Sequence, residues 1–162
     1  MKLLRSARER GLQGRWHVIG PSPRWIAVVL GTTVVAWSGF VLHNVADLPG
    51  QTLVSPESLY PTIVTVALLV LWLVPATRTA ATWAMLAWSA LHLVCGGILS
   101  VLPIGLFPFD PELSLRHYAF HGVYAATQVP LVWVCIASLR SRGRHATTTT
   151  RRGTGGEHSR RT

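Results

Sequence analysis

The sequence is poor in charged residues and poorest in acidic ones. Charged residues make up 13% of the 162 residues, and only 6 are Asp or Glu, whereas soluble domains carry about 25% charged residues. So little charge cannot cover the surface of a soluble domain of this size. The two cysteines, Cys95 and Cys135, are too few for a disulfide scaffold. The composition therefore indicates a membrane protein.

Long apolar runs take the place of the missing charge. A bilayer core of about 30 Å requires roughly 20 apolar helical residues, and four segments without Asp, Glu, Lys or Arg qualify: 25–45, 60–76, 81–102 and 118–139. The first is predicted to be a retained anchor, because no A-x-A cleavage site follows it. The fold class expected is all-α, an integral membrane bundle of four transmembrane helices.

The basic residues predict the direction of the bundle. They precede the first span, lie between the second and third, or follow the fourth, and only Arg116 falls on the opposite side. By the positive-inside rule both termini are cytoplasmic. Lys2 is the only lysine, and such preference for arginine is typical of a GC-rich coding genome. It favours a bacterial protein of the inner (plasma) membrane.

Two basic tails flank the predicted spans. Residues 1–24 are expected to form a cytoplasmic N-terminal tail, and residues 140–162 a disordered cytoplasmic C-terminal tail. Their charge favours contact with anionic lipid headgroups. Neither tail resembles a folded nucleic-acid reader, so no nucleic-acid partner is expected.

Polar residues on three of the four spans predict a shared seam inside the bundle. The fourth span carries one polar helical face: His117, His121, Tyr124, Gln128 and Cys135. The first and third spans carry stripes that include His43 and His92, whereas the second has nothing more polar than two threonines. We therefore expect the second span to face mainly lipid.

Depth divides these groups into two levels. His43, His117 and His121 lie near the outer ends of their spans and form a predicted outer cluster. His92 and Gln128 lie about ten residues, or ~15 Å, from their outer ends, which makes them a predicted mid-membrane pair.

The outer cluster is the candidate metal site. Histidines on facing helices can bind a transition metal or ligate haem iron, and carboxylates could come from the outer loops: Asp47, Asp110 and Glu112. Two alternatives stay open, namely hydrogen bonds from these histidines to loop backbone, and proton handling. For the mid-membrane pair, an interhelical hydrogen bond that stabilises the bundle stands beside a functional role.

Two short motifs predict where helices begin. Asp110-Pro111-Glu112 has the order of an N-cap, a first-turn proline and a favourable acid, and Glu112 is spaced to pair with Arg116. Ser55-Pro56-Glu57 repeats the pattern before the second span, although Pro61 interrupts the helix expected there.

Three functions are compatible with these features. The sequence has no catalytic dyad, phosphate loop or intramembrane carboxylate, which favours a non-catalytic accessory or interaction component of the membrane. Its partner would be another membrane protein or a second copy of the chain. One alternative is a metal- or haem-binding redox protein that uses the outer histidines. Another is a small-solute carrier with its site at His92 and Gln128.

Overall fold

All regular structure in the described part of the chain is helical. The computed structural model describes residues 21–102 and 114–155, with side chains up to residue 142. The elements are α1 (Pro23–Asp47), α2 (Pro56–Leu73), α3 (Arg78–Leu91) and α4 (Leu115–Gly155). After α3 the chain continues into a π-helical segment, His92–Ile98, and a 3-10 turn, Leu99–Val101. The described ranges contain no strand, which agrees with the predicted all-α class.

Four of these stretches are long and apolar enough to cross a membrane. They are Pro23–Asp47, Pro56–Leu73, Arg78–Val101 and Leu115–Arg142. The prediction of four membrane-compatible helices is confirmed. The Asp110 cap, the Glu112–Arg116 pair and residues 1–20 of the N-terminal tail lie outside the described residues.

The last helix is longer than expected. α4 continues to Gly155, past residue 140, where the sequence predicted an irregular tail. Leu, Arg and Ala, which are good helix formers, supply most of residues 139–146.

The helices form a ring in which α4 packs on both α1 and α3, while α2 packs on α1 and α3 from the far side. The core contains Val29, Ala36, Trp72, Ala81, Met85, Leu131, Val134 and Cys135. α2 buries only Ser58 and Trp72 fully, as expected for a span that faces mainly lipid. Its two threonines nevertheless tie it to the bundle: Trp37 donates to Thr62, and Trp88 donates to Thr65.

Arg78 closes the end of the bundle opposite the outer histidines. Its side chain is 7% exposed, lies over the Trp72 ring, and donates to the carbonyl oxygens of Trp72 and Leu73 at 3.0 Å each. These carbonyls belong to the last turn of α2, which lacks intrahelical donors. The guanidinium therefore serves as a side-chain cap for that helix.

We expect Arg78→Ala to lower the free energy of unfolding by about 2 kcal/mol, because hydrogen bonds from a charged donor are lost and buried carbonyls are left unpaired. Thermal unfolding in detergent measures the effect. Arg24→Ala is the matched control, since Arg24 is an exposed arginine at the start of α1. Equal stability of the two variants would contradict the capping role.

Candidate metal centre

The three outer histidines meet at one end of the bundle together with Asp47. His43 and Asp47 come from the last two turns of α1, and His117 and His121 from the first two turns of α4. Each residue offers one ligand atom, and the four atoms lie within 4.8 Å of one another. Asp47 thus joins the three predicted histidines, and from here on the outer cluster means these four residues. Spacing by four residues on each helix places both members of a pair on one face.

His43 is oriented by its neighbour Asn44. The Asn44 amide nitrogen donates to the Glu57 carbonyl oxygen at 3.1 Å. Pro61 lacks the N–H that would normally bond this carbonyl four residues earlier in α2, so the interruption of α2 creates the acceptor that Asn44 uses. With its amide nitrogen committed to α2, Asn44 presents its oxygen to His43 Nδ1 at 3.1 Å. His43 Nδ1 therefore carries the proton of this hydrogen bond.

His121 is oriented by the π-helical segment. Its Nδ1–H donates to the Gly96 carbonyl oxygen at 2.8 Å. A π segment breaks the regular i→i−4 ladder, and such segments are frequent at functional sites. Gly96 also lacks a side chain at a point where a Cβ atom would lie 2.7 Å from the Tyr124 hydroxyl. The glycine thus lets α4 approach closely enough for His121 to reach this carbonyl.

His117 is oriented by Asp47. Its Nδ1–H donates to Asp47 Oδ2 at 2.6 Å, and the Asp47 side chain is only 2% exposed. The other carboxylate oxygen, Oδ1, lies 3.9 Å from the Arg116 Nε atom. Arg116 also donates to the Ala46 carbonyl oxygen at 2.6 Å, at the end of α1. Asp47, expected in an outer loop, is the last residue of α1, and its carboxylate accepts a hydrogen bond from His117.

All three imidazoles consequently use Nδ1 as a hydrogen-bond donor to a fixed acceptor. In the neutral form of each ring, the remaining nitrogen, Nε2, carries a lone pair. The Nε2 atoms of His43 and His121 face each other at 2.8 Å, an arrangement of two lone pairs that a cation stabilises. Two nitrogens bound tetrahedrally to one metal at 2.0–2.1 Å lie about 3.3 Å apart, so a shift of about 0.5 Å would admit the ion.

The arrangement suits a bare ion better than haem. His43 and His121 pack edge to face with ring centroids 4.2 Å apart, and His117 and His121 do so at 4.4 Å. Rings in direct contact leave no space for a porphyrin between them. The donor types present, imidazole and carboxylate, are those that bind Zn²⁺, Cu²⁺, Fe²⁺ and Ni²⁺.

The predicted mid-membrane pair is not joined by a hydrogen bond. Gln128 donates to the Ala36 carbonyl oxygen at 2.9 Å, and His92 Nδ1 bonds to the Tyr124 hydroxyl. Both side chains instead line a cavity in the middle of the bundle, to which all four helices contribute. The cavity has a volume of about 20 Å³, which is room for one water molecule and too little for a larger solute.

Tyr124 connects the two levels that the sequence separates. Its ring stacks on His43 with centroids 5.4 Å apart, and its hydroxyl reaches His92. The sequence placed Tyr124 on the polar face of α4 without assigning it this position. The sequence did not identify Asn44 or Gly96 as residues that orient the histidines. For Asn44 a signal was available, because it is a polar amide residue inside an apolar span and directly follows His43. Asp110 and Glu112 lie outside the described residues.

No family model, curated protein or solved structure matches the chain. The functional argument therefore rests on the geometry of the outer cluster.

Proposed function

We propose that this chain is a four-span membrane protein that binds one divalent transition-metal ion through His43, His117 and His121. The observation that carries the proposal is the shared use of Nδ1. Each imidazole donates that proton to an acceptor on a different support: Asn44, Asp47 or Gly96. Metal-binding histidines characteristically donate their second N–H to a carboxylate or carbonyl, which fixes the tautomer and the ring orientation.

The burial of the cluster supports the same function. His43, His117 and His121 are all buried, and they come from two helices whose contact is the most extensive in the bundle. The Nδ1 atoms and the Asp47 carboxylate are paired, but the Nε2 atoms of His43 and His121 face each other at 2.8 Å, and buried lone pairs cost free energy unless they are paired or bind a cation. A bound cation would stabilise the contact between the C-terminal end of α1 and the N-terminal end of α4, where these groups meet.

The proposed location follows from the arginine distribution. If both termini are cytoplasmic, as the positive-inside rule indicates, the C-terminal end of α1 and the N-terminal end of α4 lie on the outer side of the plasma membrane. The metal would then exchange with the extracytoplasmic space. Contact of the basic tails with anionic lipid remains a prediction.

Metal analysis of the purified protein tests the proposal. The protein is purified in mild detergent, stripped with a chelator, reloaded separately with Zn²⁺, Co²⁺, Cu²⁺ or Fe²⁺, and measured by elemental analysis and visible absorption. We expect one ion per chain with at least one of these metals. A Soret band in the protein as first purified would instead support haem.

A preparation that retains none of these ions would overturn the proposal. If that protein also copurifies with another membrane protein, the accessory or interaction component becomes the better interpretation. Flux of a small solute in proteoliposomes that is lost on replacing His92 and Gln128 would support the carrier.

A further inference from the structure

We infer that the bound metal keeps one exchangeable coordination position, which takes water or a small inorganic anion, and that Arg116 draws the anion to it. This inference deepens the proposed function and rests on it. It assigns a ligand class to the outer cluster and a role to a residue that is not itself a metal ligand.

The first step concerns the number of protein ligands. Asp47 Oδ2 accepts from His117 Nδ1 at 2.6 Å but lies 3.9 Å from His43 Nε2. Its Oδ1 faces Arg116. Both carboxylate oxygens are thus engaged by cationic or N–H groups, and Asp47 serves as the carboxylate partner of His117. Three imidazole nitrogens remain as metal ligands, and three-histidine sites keep a further position for water or substrate.

The second step concerns charge. Three neutral imidazoles contribute none, and the single negative charge of Asp47 is balanced by the positive charge of Arg116. The two positive charges of a divalent ion would therefore have no compensating charge within the outer cluster. An anion at the fourth position compensates one of them, and the interaction is strengthened because the surrounding side chains exclude much of the water.

The third step concerns access. The Arg116 side chain is 69% exposed, in contrast to the 2% of Asp47. The guanidinium also lies over the Phe120 ring, with its central carbon 5.7 Å from the ring centroid. Arg116 thus reaches from water to the edge of the cluster. A guanidinium is always charged, and its planar set of donors suits oxyanions and other small anions.

The test uses the Co²⁺-loaded full-length protein in detergent, because Co²⁺ replaces Zn²⁺ and its visible bands report on its ligands. Sodium azide is titrated into the sample. We expect a saturable change in the cobalt bands in the wild type. In Arg116→Gln we expect unchanged cobalt stoichiometry and an azide Kd raised about tenfold, which corresponds to one hydrogen-bonded charge contact.

Two matched variants complete the design. Arg24→Gln removes the same charge from an exposed arginine at the start of α1. The outer cluster lies at the other end of α1, so this variant should leave the azide Kd unchanged. Arg116→Lys keeps the charge and should bind azide more tightly than Arg116→Gln. An equal azide Kd in all four proteins would overturn the role of Arg116.

The outcomes also separate the inference from the proposed function. Failure to bind Co²⁺ and the other divalent ions contradicts the metal site itself. Binding of Co²⁺ with bands that azide does not change contradicts only the open position, and indicates that a protein carboxylate fills it, with Asp47 as the first candidate. Asp47→Asn checks this directly: it should retain cobalt bands that respond to azide if Asp47 orients His117, and lose or reshape them if Asp47 binds the metal.

Discussion

Replacement of His121 by alanine is expected to abolish stoichiometric metal binding while leaving the bundle folded. His121 Nε2 lies 2.8 Å from His43 Nε2, and its Nδ1–H donates to the Gly96 carbonyl. The His121 ring also contacts the rings of both His43 and His117, so the substitution removes the central imidazole of the site. Loss of a group that only hydrogen-bonds to a metal ligand typically lowers metal affinity 10–100-fold. Loss of a ligand itself should lower the affinity at least about 100-fold. Competition with a chromogenic chelator measures the change.

His92→Ala is the matched control for this prediction. It removes an imidazole from the same bundle, but His92 bonds to Tyr124 and lines the central cavity rather than the outer cluster. Metal stoichiometry should remain at the wild-type value in this variant. Full metal retention in the triple variant His43→Ala, His117→Ala, His121→Ala would show that the ion binds elsewhere.

The second large effect is expected at Gly97, where the π-helical segment contacts α4. A Cβ atom at this position would lie 2.8 Å from the Ala125 Cβ and 3.0 Å from the Ala125 Cα. A backbone atom cannot rotate out of the way as a long side chain can, so Gly97→Ala must separate the two helices locally. We expect the free energy of unfolding to fall by about 1–3 kcal/mol, with a lower Tm in detergent.

The same variant should weaken metal binding, because Gly97 follows directly on Gly96, whose carbonyl orients His121. Gly122→Ala is the control. Nothing lies within 4 Å of a Cβ at Gly122, and alanine has a helix propensity up to about 1 kcal/mol better than glycine. Gly122→Ala should therefore match or exceed the wild type in stability. A Gly97→Ala protein as stable as Gly122→Ala would contradict the close contact.

Much of the outer cluster could be predicted from the spacing of residues within single helices. The i,i+4 interval places His117 and His121 on one helical face, and the positions of the three histidines in their spans place them at the same end of the bundle. The structure brings the three predicted histidines together with Asp47. It also agrees with the prediction that α2 is the most peripheral helix.

The supports of the cluster depend on contacts between distant residues, which periodicity does not reveal. Pro61 was an interruption of α2 in the sequence, yet the carbonyl it leaves unpaired accepts a hydrogen bond from Asn44 on α1. The π-helical segment is a local change in backbone register that hydropathy does not indicate; the Gly96-Gly97 pair marks only a point where the backbone can bend or pack closely. The pairing expected between His92 and Gln128 followed from depth alone, and depth cannot distinguish a direct hydrogen bond from two side chains that face one cavity.

Composition and hydropathy by themselves determined that the described residues, 21–102 and 114–155, contain four membrane-compatible helices, because charge-free apolar runs of this length have few other stable environments. The tertiary structure decided that each outer histidine donates through Nδ1, and that the Nε2 atoms of His43 and His121 face each other. That choice depends on acceptors contributed by Asn44, Asp47 and Gly96. Two of these acceptors are themselves positioned by contacts between helices, so they exist as a set only after the bundle has packed.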